Sequence, residues 1–245
     1  MSEMNAKRKL LISMIVLLSA GLACAQEIEC PPGCSPGRWS KDAVDLSSRS
    51  VKAPYESRDL RVRAPDPKRV AWVVKDHWWI EMPEGKLSAR PKGAGVLYPA
   101  EIAWSKDSQA LFITQSVGFS TGYETQVYRI KGGRLISLER LNTVVRRDFD
   151  RLHKCVEGDI GNAPNVAGLK WLENSDRLLI VAEVPPVGIC KDAGYFGGYE
   201  ISISSGHIVR RFSPKELEDR WGDTLGDRLR GDFESLSIDG KSAEP

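Results

Sequence analysis

Gly118-Phe119-Ser120-Thr121-Gly122 matches the G-x-S-x-G pattern that presents a nucleophilic serine for acyl transfer. That chemistry needs a strand-to-helix elbow, which leaves the serine Oγ exposed at a helix start. Here the pentapeptide falls between two strand signals, Leu111 to Thr114 and Gln126 to Ile130. It reads as a hairpin loop, so Ser120 is not assigned as a nucleophile. Asp76-His77 is the second catalytic-looking pair. Adjacent strand residues point to opposite faces, so this carboxylate does not orient this imidazole unaided. His207 reads as a surface turn residue, and His153 falls on the polar side of a short helix. No H-E-x-x-H, C-x-x-C pair or EF-hand loop occurs. No catalytic residue, no metal and no cofactor is assigned.

Aromatic side chains offer a different chemistry, that of contact. Trp78 and Trp79 are neighbours on one strand, so one faces the core and the other the opposite side. An exposed tryptophan stacks ligands or docks partners. Gly194-Tyr195-Phe196-Gly197-Gly198-Tyr199 sets glycines between aromatics and reads as a mobile loop presenting Tyr195 and Phe196. Tyr123 closes the other loop expected on that side, 115–124. Trp78, Trp79, Tyr123, Tyr195 and Phe196 are the candidate binding residues.

The N-terminus sets the compartment. Lys7, Arg8 and Lys9 precede an apolar run from Leu10 to Ala23, and Ala23-Cys24-Ala25 is a small-x-small cleavage pattern. This is the form of a secretory signal over 1–25, with a mature start at Gln26. The 14-residue run falls short of the roughly 20 residues that cross a bilayer. Lipid attachment at Cys24 is the alternative, although Gly21 stands where such signals usually carry leucine. Of 35 basic and 33 acidic residues, the signal takes Lys7, Arg8, Lys9 and Glu3, leaving 32 of each. A neutral chain carries no field that argues for nucleic acid or an anionic membrane. Cys30, Cys34, Cys155 and Cys190 remain, an even count that reads as two disulfides in an oxidising compartment. Four cysteines allow three pairings; Cys155–Cys190 with Cys30–Cys34 is favoured.

The positioning elements repeat. Asp66, Asp107 and Asn174 each stand four residues before an apolar run, at spacings of 41 and 67. Asp and Asn bond their own backbone in turns, and the β-branched and aromatic residues that follow suit strands. Each unit also carries a glycine–basic–aliphatic turn: Gly85-Lys86-Leu87, Gly133-Arg134-Leu135 and Gly206-His207-Ile208. Each reads as a four-stranded antiparallel meander. The longer second spacing implies an insertion near 139–165, where Val145, Phe149, Leu152 and Val156 make one apolar helix stripe. Ser213, Pro214 and Glu216 announce a capped helix at 214–221, with Phe212 and Leu217 as its hydrophobic staple and Gly222 as its stop. Residues 26–55 read as an irregular, disulfide-tied lead-in, 56–233 as the β domain and 234–245 as a polar tail.

Trp104-Ser105-Lys106-Asp107-Ser108 resembles the Trp-Ser-Pro-Asp-Gly turn of TolB-type, WD-like β-propeller repeats, with Lys106 for proline and Ser108 for glycine. The third unit keeps Trp171 with Asn174 for Asp; the first keeps Pro65-Asp66 and lacks the tryptophan. The resemblance covers about 65–212. It implies a mostly all-β fold of blade-like repeats. Three blades are visible, against the four to eight of a closed ring, so either degenerate strands in 35–60 and 223–240 complete the ring or, as favoured, this is a partial propeller capped by one or two short helices. Such domains commonly serve as protein-binding platforms. The expected function is a non-catalytic interaction module, exported to the periplasm or the extracellular space. Its partner would be another envelope protein, with no membrane span after signal cleavage. The alternatives are an envelope hydrolase acting on glycan or ester substrates, drawing on Asp76, His77, Glu81 and Glu124, and a structural lipoprotein.

Overall fold

The computed structural model describes residues 28–29, 36–46, 60–74, 77–89, 100–117, 122–153, 163–172, 175–186 and 190–230. Two short strands, β1 (Ile28–Glu29) and β2 (Val44–Asp45), precede three antiparallel meanders. The first contains β3 (Leu60–Arg63), β4 (Val70–Val74), β5 (His77–Met82) and β6 (Gly85–Ala89). The second contains β7 (Ala100–Trp104), β8 (Ala110–Ser116), β9 (Tyr123–Lys131) and β10 (Arg134–Ser137). The third contains β11 (Asn165–Leu172), β12 (Arg177–Glu183), β13 (Phe196–Ser202) and β14 (Ile208–Phe212). β1 adds parallel to β3, and β2 adds antiparallel to β7. Helix α1 (Leu141–Leu152) joins the second meander to the third, and α2 (Pro214–Trp221) follows the third. No described helix is long and apolar enough to cross a membrane.

The three sheets form an open, layered stack. Val62, Val73, Trp78 and Ile80 of the first meet Ile102, Leu111, Ile113 and Tyr128 of the second. The opposite face of the second, with Ala103, Phe112 and Val127, meets Val166, Trp171, Leu178 and Ile180 of the third. Every residue of β8 is therefore buried, the apolar run Ala110 to Ile113 and the polar Thr114, Gln115 and Ser116 alike. Gly168 permits the close approach of the second and third layers: a Cβ there would lie 2.6 Å from the Phe112 ring. The far face of the third sheet is closed by Leu217 of α2, Leu225, Leu229 and Trp39.

The shared turn motif fastens layer to layer. Trp104 Nε1 donates to the Val62 carbonyl, and Trp171 Nε1 donates to the Ala103 carbonyl, both at 3.1 Å. Each tryptophan stands three residues before its turn Asp or Asn, and each acceptor four before the turn Asp of the preceding unit. The turns join as well. Ser108 Oγ accepts from Asp66 N at 2.7 Å, and Ser175 Oγ donates to Asp107 Oδ1 at 2.5 Å. Ser108 and Ser175 occupy the left-handed region, φ 58° and 66°, where the motif's glycine would sit. The Ser105, Ser175 and Gln109 bonds hold the Asp107 carboxyl below its usual range against the opposing effect of burial. Arg63 takes the tryptophan's place in the first unit.

Local signals account for the turns and the second helix. Gly132 and Gly133, both at positive φ, make the two-residue hairpin turn between β9 and β10. Ser213 and Glu216 form the capping box of α2. Gly222 has an ordinary helical φ of −50°, and the chain turns on through Thr224 N and the Trp221 carbonyl. The glycine stop expected there is thus not a left-handed cap. The segment 194–199 also departs from expectation. β13 begins at Phe196, and Gly197-Gly198 lie within the sheet, paired to Ala182 and Val181; position 198 needs glycine because a Cβ there would meet Leu217 at 2.6 Å.

Candidate functional site

α1 presents the row Leu141, Val145 and Phe149 to the core. The i, i+4 spacing carries that row on to His153, so Leu152 is 56% exposed instead of completing the stripe. His153, expected on the polar side, instead lies against Phe149 and Tyr195, with ring centroids 4.7 and 4.1 Å away. Its Nδ1 is 3.2 Å from Asp192 Oδ2. Arg146 fixes the helix through bonds to Glu124, the Pro164 carbonyl and the Tyr123 carbonyl. Asn142 adds a reciprocal pair with the Thr125 backbone.

Between this helix end and the start of α2 lies a groove of about 280 Å³. Phe149, Tyr199 and Phe212 line it, with Leu152 and Tyr195 at its rim. Its charges are satisfied internally. Arg211 forks onto Asp148 through Nε at 2.5 Å and Nη2 at 2.6 Å. The Arg211 guanidinium holds the Asp148 carboxyl below the usual carboxylate range. The Ser213 backbone N–H and hydroxyl bind Glu216 and lower its pKa in the same way. Burial, and then the Asp148 charge, push the Tyr199 hydroxyl up, so it stays a neutral phenol. What the groove offers is aromatic surface beside neutralised ion pairs.

Of the five aromatic residues singled out from sequence, only Tyr195 borders this groove, at 37% exposure. Phe196 points to the other face of the sheet and packs beside the α2 cluster. Tyr123, read as a loop contact, is buried edge-on to Trp39 at 5.3 Å with the Arg228 guanidinium over its ring. Trp78 is core, edge-on to Tyr128 at 4.7 Å. Trp79 lies half-buried on the opposite face, stacked on Trp72 at 6.0 Å. Arg61 over Trp72 and Lys86 over Trp79 complete a cation–aromatic ladder, and Trp72 Nε1 donates to Glu81. Glu81 and Glu124 are thus both engaged by neighbouring side chains. His207 is exposed in its turn. Gly118 to Thr121, Asp76, the His77 side chain, Cys30, Cys34 and Cys155 lie outside the described residues. Cys190 is 9% exposed in the core between the second and third sheets.

Sequence reasoning missed two carboxylates. Glu101 and Glu183 are 3% and 1% exposed, each set in an apolar strand. A lone acid inside a buried strand pattern was the available signal. No protein-family model, curated protein or solved structure matches this chain.

Proposed function

We propose that this protein is an exported, non-catalytic interaction module that receives an apolar side chain of another envelope protein in the groove between α1 and α2. The observation that carries the reading is the groove's composition. Two of the five large exposed apolar side chains among the described residues, Leu152 and Tyr195, flank it. Its ionic groups already hold partners, so a charged ligand would have to displace an ion pair, whereas an uncharged aromatic or aliphatic group would not. A space of about 280 Å³ suits one or two large side chains of a partner, the usual form of an interface anchor. The His153–Asp192 pair has the spacing of a base and its orienting carboxylate, but Tyr195 covers the imidazole face. Packing is what that imidazole does here.

Site-specific photocrosslinking in living cells tests this. A photoreactive phenylalanine analogue in place of Leu152 is expected to give one discrete protein adduct. The same analogue in place of Ile136, exposed on β10 away from the groove, is expected to give none. Tyr195→Ala, with circular dichroism unchanged, should cut the Leu152 adduct about tenfold, equivalent to roughly 1.4 kcal/mol at the rim. Equal adducts at both positions, or indifference to Tyr195→Ala, would remove the groove from the function.

A further inference from the structure

Glu101 lies in β7 beneath the segment 36–46, and the two are built around each other. Trp39 N donates to Glu101 Oε2 at 3.1 Å. Gly37 passes so close that a Cβ there would lie 2.1 Å from the same oxygen. Glu101 Oε1 has no hydrogen-bond partner. Beside the carboxyl is a cavity with room for about one water molecule. Arg38 and Asp45 from the segment, Thr114 from β8 and Tyr123 from β9 line this cavity. Behind Trp39 and Tyr123 stands Arg228, 4.5 and 5.1 Å over their rings. Arg228 forks onto the second buried carboxylate, Glu183, at 2.8 and 3.2 Å. Asn165 donates to the same Glu183 oxygen and accepts from Tyr123 N.

The segment 36–46 also holds the C-terminal stretch 224–230. Lys41 N donates to the Thr224 carbonyl, Gly226 N to the Trp39 carbonyl and Arg228 N to the Arg38 carbonyl. Ser40 bridges to Leu225, and its hydroxyl donates to the Leu169 carbonyl at 2.5 Å. Lifting Trp39 therefore releases both terminal stretches and uncovers the apolar far face of the third sheet.

The two carboxylates differ in their compensation. Glu183 has a guanidinium and an amide; Glu101 has only backbone groups of segment 36–46, with Trp39 N on Oε2, Oε1 unpaired and the acidic Asp45 nearby. A buried anion with so little compensation is far more unfavourable than the neutral acid. We infer that segment 36–46 is a proton-gated clasp: it closes over Glu101 while that carboxyl carries its proton, and opens when the proton is lost to solvent. Burial pushes the Glu101 pKa up to about 8; the Trp39 and Ser40 backbone lowers it and Asp45 raises it.

The sign follows from linkage. A carboxyl whose pKa is higher in the closed state than in the open state retains a proton that opening releases. The clasp is therefore tightest below about 4.5, the open-state value, and weakens as pH rises towards about 8. Over that range the opening constant should climb about tenfold per pH unit, and then level off.

Hydrogen exchange of the whole chain, read by mass spectrometry on peptides covering 36–46 and 224–230, tests the clasp. Glu101→Gln keeps the shape and removes the titration, so it corrects for the base catalysis intrinsic to exchange. The wild-type opening constant, divided by that of Glu101→Gln, should rise about tenfold per unit between about pH 5 and 8. A ratio that stays constant would overturn the clasp. If Glu101→Gln does not fold, infrared spectroscopy of the wild type decides. A protonated-carboxyl carbonyl band present near pH 6 should vanish as the pH passes about 8, together with faster exchange at 36–46. Absence of such a band, or its loss without faster exchange, would refute the proposal.

Discussion

Replacing each tryptophan staple by phenylalanine separates the bond they share from the environments that differ. Trp171 is 6% exposed, and its indole N–H reaches the Ala103 carbonyl within the core between the second and third sheets. Trp171→Phe keeps an aromatic ring near Phe112, whose centroid is 6.1 Å away. It deletes the donor and leaves a void where the larger ring was. A net hydrogen bond contributes about 0.5–1.5 kcal/mol, and a buried acceptor left poorly satisfied costs about 1–3. The expected loss is about 2 kcal/mol, or roughly 4–8 °C in Tm for a domain of this size. Trp104 makes the equivalent bond to Val62, yet it is only half-buried, so water can replace the donor. Trp104→Phe should cost under about 1 kcal/mol. Guanidinium unfolding of both variants, with unchanged m values, measures the difference. Equal losses, or a larger loss at Trp104, would show that burial of the staple is not what sets its contribution.

His153 and Asp192 touch, and each lies two residues from a cysteine, so Cys155 and Cys190 should be joined in protein taken from an exporting cell. Non-reducing peptide mapping should find that pair; finding Cys190 alkylated or joined elsewhere would reject it. Reduction should lower stability by about 3–4 kcal/mol, as expected for closing a loop of some tens of residues. Intact mass of the protein recovered from its native cell should match a chain beginning at Gln26, whereas a diacylglyceryl mass on Cys24 would establish the lipid-anchored alternative.

Much of the architecture is local and could be read from the chain. Asp66 and Asp107 mark turns because short polar side chains bond their own backbone before β-branched runs. Gly132-Gly133 marks a hairpin because only glycine takes positive φ twice without cost. The α2 cap needs nothing beyond Ser213 and Glu216. The alternation of a strand places Trp78 and Trp79 on opposite faces, though it does not say which one is inside. That depended on the pairing of β4, β5 and β6 and on the second sheet arriving with Tyr128 over Trp78.

The candidate sites are the part that only tertiary packing decided. A sequence stripe through Leu152 puts His153 on the polar side; the i, i+4 row through Phe149 turns the imidazole inward, against Tyr195. Tyr123 is not a contact residue because Trp39 and Arg228, far away in the chain, close over it. Glu101 looks like any strand acid until segment 36–46 lies across it and removes its water. Sequence determined the turns, the strands and one helix cap, since each depends on neighbours within a few residues. The groove and the two buried carboxylates arise where segments distant in sequence exclude solvent together, and exclusion of solvent is a property of the packed chain.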